Sequence, residues 1–227
     1  MSLIYDRAAD IVRTVFDKRL SAPPVLDPSG HFPGSADFER HWRAIRDEAL
    51  EVAASLGAVP RFHEIMPEQA EISANDGRDW RMFIMKGYGA EWPRNLERCP
   101  RLAALVRAHP EVLSASFSFL APGKHIPAHR GPFRGVLRYF LVLSMPLDET
   151  GEPAAVLRVD GAEHRLHDGE SLLWDDTYEH EVWNRSDRVR VVLLLDVWRP
   201  GMPPDLALLS HLVVGLVRVG TRLRGFG

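Results

Sequence analysis

Cysteine is almost absent. The 227 residues include one, Cys99, so no disulfide can form within the chain, and a reducing compartment fits better than a disulfide-stapled scaffold. Long apolar runs are also missing. No window reaches the roughly 18 uncharged apolar residues of a membrane-spanning helix. The opening MSLIYDRAADIVRTVFDKRL carries Asp6, Asp10 and Asp17 where a signal peptide would be continuously apolar. Cytoplasm is therefore the expected location. Neither charge sign dominates: 28 Lys+Arg against 31 Asp+Glu leave a net charge of −3, which gives no basic bias towards nucleic acid. There is no Gly-rich phosphate loop, no Gly-x-Ser-x-Gly elbow, no internal repeat and no low-complexity tract.

What remains is the composition of a globular protein, 45% hydrophobic and 26% charged, with enough residues to bury a sizeable core. A single domain over residues 1–227 is expected, with a helical N-terminal segment (1–60), a β core (70–200) and a C-terminal helix (203–224). Residues 3–19 place Ile4, Ala8, Ile11, Val12, Val15 and Phe16 at helical spacing. A second helix is expected over 36–56, stopped by Gly57, and a short one in CPRLAALVRAHP. From about residue 112 short strands alternate with turn signals: VLSASFSFLAPG, GVLRYFLVLSMP, AAVLRVDGAEHRL around an Asp-Gly turn, SLLWDD and VRVVLLLDVW. That spacing predicts a β-sandwich or barrel and not a parallel α/β sheet.

Residues able to carry chemistry are scattered over these strands. His129 follows the Pro-Gly turn of APGKHIPAHRGPFRG, and His180 sits in WDDTYEHEVWN. Arg190 lies ten residues beyond His180 and Arg138 nine beyond His129, with Ser118 eleven before it. Two histidines from neighbouring β strands, with positions left open, suit Fe(II) and oxygen chemistry. A 2-oxo acid co-substrate would need a cation for its far carboxylate. A planar arginine meets that need, assisted by a hydroxyl. An arginine in so apolar a strand is costly unless a carboxylate joins it. The same spacing also fits structural histidines. His125 shares a face with His129 if their strand is regular, and would then support His129 or line the pocket; a ligand role and a place in solvent are the other readings. Asp175 and Asp176 either bond a ligand histidine or cap the turn. His164 and His167 flank a hairpin and are expected to be exposed.

SFLAPGKHIPAHRGPFRGVLRYFLVLSMP, followed by DGESLLWDDTYEHEVWNRSDRVRVVLLLDVWRP, resembles the aspartyl/asparaginyl β-hydroxylase family. The ordered Pro-Gly-x-His, His-x-Gly-Pro, Leu-Arg, Asp-Asp-x-x-x-His-Glu-Val-Trp and Asp-Val-Trp-x-Pro motifs carry the likeness over about residues 78–200. The resemblance implies a mainly β (α+β) fold, a double-stranded β-helix or cupin-like jelly roll with flanking N- and C-terminal helices. It also implies an Fe(II)/2-oxoglutarate-dependent dioxygenase that hydroxylates an aliphatic C–H and releases succinate and CO2. His129 and His180 match the iron ligands, and Arg190 and Ser118 match the groups that hold the co-substrate's C5 carboxylate. Arg138 matches a site arginine that touches co-substrate or an acidic substrate group. Gly131 stands where a third, carboxylate ligand stands in many relatives, which implies iron held by two protein ligands. Phe140 and Ser116 depart from a histidine and a lysine of the animal enzymes. The front half, DWRMFIMKGYGAEWPRNLERCPRLAALV, is similar to the bacterial lipid A 2-hydroxylase branch, which usually keeps Asp at the place of Gly131.

The expected partners are O2 and a small-molecule, amino-acid or lipid substrate, with no nucleic acid. Besides an Asp or Asn β-carbon, a fatty-acyl chain at the membrane surface is an alternative substrate, and a non-catalytic jelly-roll binding module is a further reading. The tail PPDLALLSHLVVGLVRVGTRLRGFG is expected to be a helix, with Leu206, Leu209, Leu212, Val213, Leu216 and Val217 able to share a face and Arg218, Arg222 and Arg224 at its end. It packs on the sheet or a partner subunit, or lies on the inner face of an acidic membrane.

Overall fold

The computed structural model describes residues 11–223. Among them, two antiparallel sheets face each other. The larger runs β1 (Val25–Leu26), β9 (Ser171–Trp174), β6 (Val136–Ser144), β11 (Arg190–Trp198), β4 (Val112–Leu120), β2 (Trp80–Gly87) and β3 (Ala90–Glu91). The smaller runs β5 (His125–His129), β10 (His180–Asn184), β7 (Ala155–Val159) and β8 (Ala162–His164). The chain crosses from one sheet to the other after β4, β5, β6, β8, β9 and β10. This is the jelly roll the resemblance implies.

The near-continuous apolar strands are buried on both faces. In β6, Leu137, Tyr139, Leu141 and Leu143 face a core beneath the helices, while Phe140 and Val142 face the smaller sheet. β11 divides the same way, with Val191, Leu193, Leu195 and Val197 on the helix side and Val192 between the sheets. In β4, Ala115, Phe117 and Phe119 face the helices. Strand alternation turns Ser116, Ser118 and Leu120 towards the space between the sheets, so the alternation in VLSASFSFL separates a packing face from a site face. The Trp42–Ala53 helix buries Ile45, Ala49 and Val52 on the outer core, and the Pro100–Ala108 helix buries Leu102, Ala103 and Val106. Glu48 joins them: its carboxylate accepts from Arg101 N (2.6 Å) and Leu102 N (3.1 Å) at the start of the second helix, where unpaired N–H groups favour an anion.

Several boundaries differ from those expected. The helix read over 36–56 is two, Ser35–Arg40 and Trp42–Ala53. They are broken at His41, whose φ of −101° and ψ of 11° leave the helical region while its ring Nδ1 bonds Asp37 O (2.8 Å). Gly57 does not stop it: the helix ends at Ala53, and Gly57 lies in the following turn, Leu56–Ala58. The first helix is seen over residues 11–17; the part expected at 3–10 lies outside the described residues. The Asp-Gly hairpin is present, with Asp160 at φ 48° and Gly161 at φ 83°, the left-handed pair of a type I′ turn.

The tail helix, Pro204–Leu223, buries only part of the face read in the sequence: Leu206, Leu209 and Val213 pack inward, while Leu212, Leu216 and Val217 do not. Leu206, Ser210 and Val214 are inward, packed with Phe16, Phe133 and Val136, whereas Leu208, Leu212, Leu216 and Val219 are exposed. Both sides are apolar, so spacing alone does not choose between them. Among the described residues no helix is long and apolar enough to cross a membrane.

Candidate functional site

β5 and β10 are neighbours, and their register sets His129 directly opposite His180. The next pairs are Val182 with Ile126 and Trp183 with His125. β5 therefore spends three residues where β10 spends two, a β-bulge. The bulge undoes the face-sharing expected of His125 and His129. Ile126 enters the core between the sheets, while His125 turns outward, its ring stacked on Trp183 (5.1 Å) and its Nε2 3.2 Å from Glu181. The start of β5 is pinned by buried Lys124, whose ammonium donates to Ser73 O (2.9 Å), Asn75 Oδ1 (2.6 Å) and Asp76 Oδ1 (2.7 Å).

The His129 and His180 rings lie 4.2 Å apart, centroid to centroid. Their Nδ1 atoms sit 2.8 Å from Pro127 O and 3.0 Å from Tyr178 O. A carbonyl can only accept, so Nδ1 carries the proton in each ring and Nε2 presents its lone pair. Burial lowers the pKa of both. For His180 burial, aided by the neighbouring His129, pushes it to about 3. Two neutral, oriented imidazoles are a donor set suited to a divalent transition metal. Among the described residues no group of three or more His, Cys, Asp or Glu is placed to hold a metal, so the pair stands without a protein carboxylate.

Gly131 shows why. A Cβ there would lie 2.5 Å from Asp176 Oδ2 and closer still to Oδ1 and Cγ. Gly131 N also donates to Asp176 O at 2.7 Å. The Asp176 carboxyl thus fills the space a side chain at 131 would need. It is buried, Oδ2 pairs with Arg138 Nη1 (3.2 Å), and Oδ1 has no partner. Burial raises its pKa to about 6 against the pull of Arg138. Arg138 in turn donates Nε to Asp196 (2.9 Å). Burial opposes its charge, but Asp196 and Asp176 more than offset this and push its pKa up. Asp175 does not face the histidines' lone pairs. It caps its own turn through Thr177 N (3.1 Å) and pairs with Arg134 and Arg199.

Arg190 projects from the start of β11 with its guanidinium over the Phe140 ring (5.3 Å). Its Nε is buried without a hydrogen-bond partner, and burial lowers its pKa to about 9, which leaves it charged at neutral pH. Ser118, fully buried on the neighbouring strand β4 opposite Val192, accepts from Trp80 Nε1 at 3.0 Å, so its own proton can be donated elsewhere. Two polar groups were missed by sequence reasoning. Trp174 Nε1 is buried and unpartnered, on a ring that packs edge-on against His180 (6.2 Å) and Phe140 (5.9 Å). His164 is half-buried, with an unpartnered Nε2; the expectation of exposure holds for His167 only. The I′ turn at Asp160-Gly161 carries the signal that would have found it, because hairpin register sets His164 opposite Leu157.

The Aspartyl/Asparaginyl beta-hydroxylase family model matches residues 39–200. The chain belongs to this family. One relative is the ornithine lipid ester-linked acyl 2-hydroxylase of Rhizobium tropici, 40% identical over 82% of this chain and 64% of its own length. Another is the human aspartyl/asparaginyl beta-hydroxylase, 27% identical over 82% of this chain and 24% of its own length. The chain thus spans under two thirds of either relative. Family membership supports a hydroxylase-type enzyme, and the two names place family members on both a lipid and an amino-acid substrate.

Proposed function

We propose that this protein is an Fe(II)- and 2-oxoglutarate-dependent hydroxylase of an aliphatic C–H. The observation that carries the reading is the His129–His180 pair, a half-buried and a buried imidazole 4.2 Å apart, each with its Nε2 lone pair free. The buried Arg190 guanidinium, whose Nε has no hydrogen-bond partner, supports it. Fe(II) held by this pair would supply the oxygen chemistry by which O2 and the 2-oxo acid yield hydroxylated product, succinate and CO2. The chain's own work is placement. Arg190 pairs the far carboxylate and Ser118 donates its hydroxyl proton to it. Phe140, Val182 and Leu157 keep water from that end. Arg138 has Nε and Nη1 engaged, which leaves Nη2 for a co-substrate or acidic substrate group. With Fe(II) loaded anaerobically, succinate should form from 2-oxoglutarate on admission of O2, even without the natural substrate. No succinate at high enzyme concentration would leave the binding-module reading in its place.

For the substrate, an exposed feature favours a membrane-lipid acyl chain over an Asp or Asn side chain. Leu208 (62% exposed), Leu212 (58%), Leu216 (74%) and Val219 (56%) form a stripe along the outer side of the tail helix. From Leu206 to the last residue the sequence has no Asp or Glu and three arginines, Arg218, Arg222 and Arg224. An apolar stripe in a segment whose only charges are basic suits an anionic bilayer surface. The buried side of the helix packs on Phe133, in the loop just after Gly131, so docking there would set the site beside the lipid. Co-sedimentation with phosphatidylglycerol vesicles should occur and weaken with salt. L212E/L216E should lower it about tenfold or more; equal sedimentation of both proteins would return preference to a soluble amino-acid substrate.

A further inference from the structure

At the Arg190 end of the pocket sits one polar side chain that the proposed function leaves idle. Val182, Leu157 and His164 are register partners across β10, β7 and β8, so they form a row on one face of the smaller sheet. That row, with Phe140, Met145 and Arg190, walls a single pocket between the sheets. His164 and Arg190 are its polar side chains; Phe140, Met145, Leu157, Leu166 and Val182 are apolar. Both polar groups hold a buried nitrogen with no partner, His164 Nε2 and Arg190 Nε. Unmatched buried polar atoms are uncommon in folded proteins and call for an explanation. Burial lowers the His164 pKa, and no charged neighbour counters it, so the ring is neutral and offers one N–H. A pocket whose unmatched polar groups are a neutral donor and a cation, with apolar walls elsewhere, selects an anionic group rich in acceptors.

We propose that His164 is a second co-substrate-binding residue, donating Nε2–H to the far carboxylate of the 2-oxo acid. This rests on the reading of Arg190 as that carboxylate's ion partner. His164 adds a directional hydrogen bond to the charge that Arg190 supplies. Together with the Met145 and Leu166 side chains it makes the pocket select a dicarboxylic 2-oxo acid over one that ends in a methyl group.

The test is calorimetric binding of 2-oxo acids to the Mn(II)-loaded protein, which needs no turnover. His164→Leu should weaken 2-oxoglutarate about tenfold, the loss of one hydrogen bond to a charged group. His164→Gln, which keeps a donor, should recover most of that loss. For 2-oxopentanoate, which has the same chain length and no far carboxylate, His164→Leu and the unaltered protein should bind alike. An unchanged 2-oxoglutarate affinity in His164→Leu, or an equal loss for both ligands, overturns the proposal. Arg190→Met separates the two readings. If it weakens 2-oxoglutarate while His164→Leu does not, the His164 contact alone is wrong. If neither changes binding, or the unaltered protein binds no 2-oxoglutarate, the reading of Arg190 falls as well.

Discussion

His180→Ala is expected to abolish iron binding and the succinate formation that depends on it. His180 is 4% exposed and neutral across the physiological range, its pKa pushed to about 3 by burial beside His129. A divalent metal therefore meets a ring with no proton to displace. Alanine removes one of two imidazole donors, and no third His, Cys, Asp or Glu among the described residues is grouped with them to take its place. Changes to groups that merely orient a ligand already cost about 10–100-fold in metal affinity, so loss of a ligand should cost on the order of 100-fold or more. Equilibrium dialysis of Fe(II) under anaerobic conditions measures it, with circular dichroism to show that the sheets persist. His125→Ala is the control: its ring stacks outward on Trp183, and iron affinity should stay within about twofold. Retained iron binding in His180→Ala would refute the ligand assignment.

Gly131→Asp, which writes the common His-x-Asp motif into this chain, is expected to inactivate the protein. The new Cβ would overlap the Asp176 carboxyl, and overpacking of this kind costs about 1–3 kcal/mol. Two carboxylates in contact would also repel, in a place where burial already raises the Asp176 pKa to about 6. Thermal unfolding should shift down by several degrees and succinate formation should fall about 100-fold or more. The double variant G131D/D176G removes the obstruction and should recover stability first. A fully stable and active Gly131→Asp would show that Asp176 moves aside freely. Gly131 lies in no positive-φ region, so the need for glycine here is one of space.

The jelly roll was legible because strand patterns are local. The serine alternation of β4, the apolar β6 and β11 and the Asp160-Gly161 turn each announce themselves within ten residues. The motif positions His129, His180, Arg190, Arg138 and Ser118 likewise stood out by order and chemistry. What did not show were relations between distant segments. The bulge that turns His125 outward is a mismatch of count between β5 and β10, invisible in either strand alone. Asp176 reads as a turn residue until its carboxyl is found in the space beside Gly131. His164 reads as exposed because the sheet that half-covers it comes from other parts of the chain. The tail helix is apolar on more than one side, and contact with Phe16, Phe133 and Val136 decides which of them is inward. His41 breaks a periodicity that otherwise runs unbroken.

The opposition of His129 and His180 across adjacent strands has a bearing on assembly. The two residues are distant in the chain, and the strand on the other side of β10 is β7, from the intervening segment. The pair is thus a non-local contact whose loop-closure entropy must be offset by the rest of the jelly roll. A nascent or partly unfolded chain has no such pair, hence no chelating pocket. Under the proposed function, iron would be captured only once β5, β7 and β10 are zipped together, and oxygen chemistry would be kept away from chains still exposing their cores.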